Sequence, residues 1–134
     1  MSEENVEIVR HGLELFNRGE LDTLLEEVIH PEIDLRPGIS VLGVGTVHGK
    51  DAVRRFWVEE LPQGLDEFKV EAEGFEDLGD TVLAASHYRA RGPGSGMAIE
   101  QTFFTLYRVE EGRIKSIRDY MGRAEALEAA GLSE

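Results

Sequence analysis

Near Asp66 the spacing of apolar residues changes from helical to alternating. Phe68, Val70 and Ala72 then alternate with Lys69, Glu71 and Glu73, the period-two pattern of a half-exposed strand. Gly74 followed by Phe75 breaks the alternation and predicts a bulge. A turn at Leu78-Gly79-Asp80 leads into a long strand from Thr81 to Arg91. The turn region Gly92 to Gly96 leads to another strand, Met97 to Val109. Glu110-Glu111-Gly112 is a hairpin turn before a fourth strand, Arg113 to Met121. The tail, Arg123 to Leu132, reads as a short helix.

Upstream of Asp66 the period is helical. Ser2 is an N-cap with Glu3 and Glu4 in the first turn, where the helix dipole favours negative charge. Val6, Val9, Leu13 and Phe16 form one apolar stripe, and Gly19 stops the helix. A second helix carries Leu21, Leu24, Leu25, Val28 and Ile29 and ends at His30-Pro31, because the residue before proline disfavours helix. Glu32 to Arg36 is a short strand. Ile39 to His48 is glycine-rich and reads as a loop or irregular edge strand. A third helix starts near Lys50-Asp51 and closes at Pro62-Gln63-Gly64. Helices followed by a meander predict an α+β fold, with the three N-terminal helices packed on one face of a curved antiparallel sheet.

At 134 residues the chain fits a single domain, 1–134, and its 41% hydrophobic content supplies a core. It has no cysteine, no run near the roughly 20 apolar residues of a membrane span, and no signal-peptide pattern at its start. A cytoplasmic location is the resulting expectation. The formal net charge of −13 repels phosphate backbones and anionic membranes, so neither nucleic acid nor membrane is an expected partner. No two histidines share a metal-ligand spacing, and neither metal nor cofactor is expected. Gly92 to Gly96 lacks the strand-then-helix setting of a phosphate loop.

The strand Gln101 to Val109 is apolar at both parities, with Phe103 and Tyr107 on one face and Phe104 and Leu106 on the other. Both faces of the sheet must therefore be covered. A homodimer through the outer sheet face is the resulting expectation, with the tail helix lying over that face as the alternative.

Several stretches, in order and spacing, resemble a known family. They are Phe16-Asn17-Arg18-Gly19, His30-Pro31-Glu32, and His48-Gly49-Lys50-Asp51-Ala52-Val53. The most characteristic run from Gly112-Arg113-Ile114 through Arg118-Asp119-Tyr120 to Ala126–Leu132. Together they are similar to the SnoaL-like group of the nuclear transport factor 2-like superfamily. The resemblance implies a cone in which three helices close over a bent sheet around a mostly apolar cavity. Relatives of this shape include ketosteroid isomerase, scytalone dehydratase, polyketide cyclases and limonene epoxide hydrolase, and others that only bind or assemble. Fold alone therefore leaves function open.

Asp119 is the leading catalytic candidate. It shares a parity with Ile117 and Met121, and burial on an apolar strand face raises a carboxyl pKa towards neutrality, as an acid or base needs. The alternative is a surface carboxylate paired with Arg118 or Lys115. Arg118-Asp119-Tyr120 resembles the segment holding the catalytic aspartate of limonene epoxide hydrolase. That enzyme's arginine and second aspartate fall at Ser86 and Tyr88 here, and a further aspartate common in relatives is Gly122, so epoxide hydrolysis is not implied. Tyr88 is the second candidate, either as a donor to a substrate carbonyl or as a core tyrosine. Ser86, Phe56, Trp57, Phe104 and Met121 are candidates for the ligand-contacting wall. Adjacent helical residues diverge by about 100°, so only one of Phe56 and Trp57 is expected to face the cavity. His11 and His87 are expected outside, His30 at a helix end, and His48 at the pocket mouth. Val41, Leu42 and Val44 are either a lid or simple packing. The sequence supports a small-molecule isomerase, cyclase or dehydratase using Asp119 on a small apolar molecule, or a non-catalytic ligand-binding or dimerisation module.

Overall fold

The chain was analysed as a computed structural model, in which residues 2–38, 45–92 and 94–131 are described. Helix α1 (Ser2–Asn17) and helix α2 (Leu21–Glu27) lead into strand β1 (Ile29–Arg36). A two-residue strand, β2 (Val47–His48), precedes helix α3 (Lys50–Arg55). A π-helical turn (Phe56–Glu60) and helix α4 (Leu61–Gly64) complete the helical half. The meander follows as β3 (Asp66–Asp77), β4 (Thr81–Arg91), β5 (Ala98–Glu110) and β6 (Arg113–Tyr120), and helix α5 (Arg123–Ala129) ends it. No helix among the described residues is long and apolar enough to cross a membrane.

The six strands form one sheet in the order β2-β1-β6-β5-β4-β3. The long strands pair antiparallel, as their alternation and hairpin turns require. The sheet is nonetheless not wholly antiparallel. Strand β1 runs parallel to β6, with Leu35 opposite Ile117 and Arg36 opposite Arg118. A parallel pair needs a long connection, and β1 and β6 are separated by the whole of the intervening chain. No local turn signal announces such a pair.

Helix α2 stops two residues before Ile29, which is already in β1. His30 and Pro31 therefore belong to the strand. The Ile114 amide bonds Val28 O at 2.8 Å, and His30 Nδ1 accepts the Glu32 amide at 3.0 Å, so this irregular start is still hydrogen-bonded. Between Ile29 and Asp34 the register with β6 shifts. Of the glycine-rich stretch, only Val47 and His48 form an edge strand. Val41, Leu42 and Val44 lie outside the described residues.

Curvature comes from the bulges. Gly74 sits at φ +64 where the β3–β4 register slips between Glu73 and Glu76. A second slip between Asp66 and Lys69 holds Glu67 at φ +51, and a third lies in β6, where Lys115 is the extra residue opposite Arg108–Val109. The sheet bends around α1 to α4, and the main core fills the concavity with Val9, Ile33, Val53 and Phe103, each at most 1% exposed.

The convex face is partly covered from within the chain. Ala126 and Leu127 of α5 pack on Leu83 and Leu106, with Phe104 alongside. The apolar residues that suggested a covering partner are thus met by the tail helix. Arg123 fastens α5 to β3 through Glu76, with contacts of 2.6 and 3.0 Å that lower the Glu76 pKa. Where α5 ends its cover, the face turns polar: His87 bridges Thr102 and Glu73, and Arg89 pairs with Glu71.

We expect Leu127→Ala to lower the unfolding free energy by about 2–3 kcal/mol, since it opens a cavity over Leu83 and Leu106. Urea denaturation measures this, and a loss below about 0.5 kcal/mol would show that α5 is not part of the cooperative core.

Candidate functional site

The concave side encloses a cavity between α1, the π-helical turn and strands β1, β3, β4, β5 and β6. The space open to the centre of a water-sized sphere is about 80 Å³, and all the non-atom space of the region, open solvent included, is about 680 Å³. A water molecule needs roughly 10–15 Å³ on the first measure, so the enclosed part suits a few waters or one compact organic ring. Its wall is strongly apolar. Six of the chain's ten aromatic residues line it: Phe16, Phe56, Trp57, Phe68, Tyr88 and Tyr107. Among the described residues, Asp119 is the one ionisable side chain in the lining apart from the two tyrosines.

Asp119 reaches the cavity because β6 alternates: Ile117 and Asp119 face inward, and Arg118 faces out. The carboxylate is 6% exposed and is met by three donors from three separate stretches of chain. Thr105 of β5, directly opposite in register, donates its hydroxyl to Oδ1 at 2.7 Å. Tyr88 of β4 donates to Oδ2 at 2.6 Å, and the Gly38 amide donates to the same oxygen at 2.9 Å. A carboxylate offers about four lone-pair sites, two on each oxygen. Oδ2 is therefore full, and one site remains open on Oδ1.

Burial is the largest influence on Asp119 and raises its pKa. The hydrogen bonds from Tyr88, Thr105 and Gly38 and the charge of Arg36 oppose that rise without cancelling it. Arg36 also donates to the Asp119 carbonyl at 3.4 Å and lies 4.6 Å over the Tyr120 ring. Tyr88 is half-buried overall, but its hydroxyl is enclosed. Burial first, and then the nearby Asp119 charge, raise its pKa well above the usual tyrosine value. Tyr107 is raised as well, chiefly by burial, while the neighbouring Ser86 hydroxyl opposes the rise.

Ser86 lies on the same strand face as Tyr88 but is 0% exposed and does not reach the cavity. Its Oγ is 2.8 Å from Thr105 Oγ1. A hydroxyl has one proton, so when Thr105 donates to Asp119, Ser86 must donate to Thr105. Ser86 thus stands one layer behind the wall. Both Phe56 and Trp57 line the cavity, against the expectation that only one would. The reason is the π-helical turn, in which the Leu61 amide reaches back five residues to Phe56 O. The wider turn shortens the angular step between neighbours.

Two wall candidates are misplaced by the sequence. Phe104 points to the convex side under α5, because the inward parity of β5 belongs to Phe103, Thr105 and Tyr107. Met121 lies beyond the end of β6 and is 63% exposed, since alternation does not continue past the strand. His48 is also not at the cavity: it pairs with Asp34 at 2.6 Å on the sheet edge. His11 is exposed. Among the described residues no group of three His, Asp or Glu is placed to hold a metal ion.

Sequence reasoning missed Thr105, Tyr107, Arg36 and Gly38. For Thr105 a signal existed, a lone hydroxyl between Phe103 and Tyr107 at the parity of both. Gly38 carried none, because its role depends on close approach. A Cβ there would lie 2.4–2.8 Å from the Phe103 ring. We expect Gly38→Ala to destabilise the fold by about 1–3 kcal/mol, read by thermal or urea unfolding. A neutral result would mean that the loop has room to move off Phe103.

Asp119 also makes stability depend on pH. Below the unfolded pKa near 3.8 both states hold the proton. As pH rises, the unfolded chain ionises first, so the stability contribution is lost between that value and the raised native one. Asp119→Asn removes this slope. Its stability relative to the parent should therefore climb as pH increases from about 4, as measured by denaturation across pH. A flat difference would mean that the native pKa is not raised.

The sequence matches the SnoaL-like domain model over residues 9–117. No curated protein matches it. Among solved structures it is similar to a nuclear transport factor 2-like protein of unknown function from Burkholderia pseudomallei. That match has 26% identity and TM-score 0.77, and covers 96% of this chain and 97% of the other. A nuclear transport factor 2-like protein from Burkholderia xenovorans gives 24% identity and TM-score 0.75 over 91% and 92% of the two chains. A SnoaL-like polyketide cyclase homologue from Jannaschia gives 18% and 0.75 over 90% and 86%. With the model spanning most of its length, the chain belongs to the SnoaL-like domain family.

Proposed function

We propose that this protein is a small-molecule isomerase, cyclase or dehydratase that uses Asp119 as its general acid–base and Tyr88 as its hydrogen-bond donor. One observation carries the reading: a buried carboxylate with a raised pKa and one open lone pair, at the polar end of an otherwise apolar cavity. Crystal structures described as SnoaL-like polyketide cyclases share the fold, which is consistent with it.

The chemistry follows from the hydrogen bonds. A carbon acid beside a carbonyl gives its proton to the open site on Oδ1. Once protonated, the carboxyl is a weaker acceptor at Oδ2. The Tyr88 hydroxyl, 2.6 Å away, can then turn from Oδ2 to the enolate oxygen that the same step creates. Return of the proton to a different carbon completes an isomerisation. Carbon–carbon closure from the enolate gives cyclisation, and loss of a β-hydroxyl gives dehydration. The part of such a substrate that enters the chamber is compact, apolar and carries a carbonyl.

A second reading rests on the same bonds. Gly38, Tyr88 and Thr105 already occupy Asp119, so the carboxylate could serve only to tie β4, β5 and β6 and the end of β1 together around a passive ligand pocket. Titration of the Asp119 carboxyl by NMR and assays on a panel of small cyclic ketones and hydroxyketones separate the two. The catalytic reading expects a pKa above the unperturbed 3.9 or so and turnover abolished by Asp119→Asn. It also expects Tyr88→Phe to lower turnover by about a hundredfold. A normal pKa, or turnover that survives Asp119→Asn, would overturn it.

A further inference from the structure

A second void adjoins the cavity. It opens between α4 and the start of β3, offers about 230 Å³ to the centre of a water-sized sphere, and is edged by Pro62, Asp66 and Glu67. Phe16, Trp57, Leu61 and Phe68 line both voids. These four side chains are a common wall, with Phe16 packed edge-on against Trp57 at 5.5 Å and against Phe68 at 5.8 Å between centroids. We propose that the binding site has two chambers. A ligand reaches Asp119 by passing this wall, and its trailing end rests in the outer groove.

This rests on the inner cavity being the ligand site and adds its route and its second half. The wall is built at breaks in regular structure. Phe16 is one residue from the end of α1, Trp57 is in the π-helical turn, and Phe68 follows Glu67, whose φ is +51 at a register slip. One side is fixed: Asn17 grips β3 by two bonds to Val70, at 2.6 and 3.0 Å. The opposite side of the wall is Trp57 and Leu61, carried by the π-helical turn and the start of α4.

The outer groove sets the chemistry of the trailing end. Its rim carries two carboxylates, Asp66 and Glu67. Glu67 pairs with Arg91 at 2.8 Å, whereas Asp66 makes no ion pair among the described residues. Among the described residues no cationic side chain lines the groove, and the whole chain has a net charge of −13. The ligand class is an apolar molecule, longer than the inner chamber, whose far end is cationic or hydroxylated and not anionic.

The test uses decyltrimethylammonium and decyl sulfate, matched in chain and opposite in charge, at about 0.15 M salt to screen distant charges. The emission of Trp57, the chain's single tryptophan, reports passage through the wall. The cation should bind at least about tenfold tighter, a difference of about 1.4 kcal/mol, and shift the Trp57 emission. Asp66→Asn with Glu67→Gln should bring the two affinities within about threefold, a change too large for two charges in a background of thirteen. Phe68→Ala should speed association about tenfold, with Leu61→Ala as a second variant if the first does not fold by circular dichroism. Equal affinities, a preference that survives the double substitution, or binding that leaves Trp57 emission unmoved would each overturn the proposal. None of these readouts involves turnover or the Asp119 titration, so the route can fail while the chemistry stands, and the reverse.

Discussion

An ionisable carboxyl held away from water at the junction of four strands is the constraint around which the concave side is organised. Leaving it without partners would carry a penalty comparable to the stabilisation of a whole small domain. The chain answers with donors drawn from positions 38, 88 and 105, which no local segment could bring together. Each donor is in turn fixed by something else. Tyr88 is wedged edge-on against Phe68 and tilted against Phe103, Thr105 is supported by Ser86, and Gly38 is pressed against the Phe103 ring. The polar cluster and the aromatic core are thus one construction, and the burial that perturbs the carboxyl is the same burial that stabilises the fold.

The cavity exists because large, rigid side chains meet at angles that leave space. Four ring contacts run without a break from Trp57 through Phe16, Phe68 and Tyr88 to Phe103. Rings in edge-on or tilted contact hold one another apart as well as together. Flexible aliphatic residues in the same places would collapse inward. The inventory of polar groups is short for the same reason: a wall of rings has few positions where a hydroxyl can reach the interior and still find a partner.

Much of the fold was legible in the sequence because period and turn chemistry are local. The alternation in β3 to β6, the bulge at Gly74 and the hairpin at Glu111-Gly112 all came from neighbouring residues. What escaped was non-local. The parallel pairing of β1 with β6 joins segments about eighty positions apart, and nothing near Ile29 encodes it. At the site, Asp119 and Tyr88 were found because parity puts both inward, and they lie within one hydrogen bond of each other. Parity also misled. It carried Met121 onto a strand that had already ended, and Phe104 needed its opposite-facing neighbour to be recognised as the inward one. Gly38 and Arg36 could not be read at all: Gly38 acts where the chain passes over the Phe103 ring, and Arg36 reaches Asp119 only through the parallel pairing of β1 with β6.

The π-helical turn at Phe56–Glu60 has a consequence for how such a pocket can change over generations. A turn of this kind holds one more residue than the helix around it. Deleting that residue would restore ordinary helical winding and swing either Phe56 or Trp57 out of the wall, without altering any other side chain. Cavity shape in this fold is therefore open to variation by length as well as by composition, and a single-codon deletion becomes as direct a way to a new specificity as an exchange of side chains.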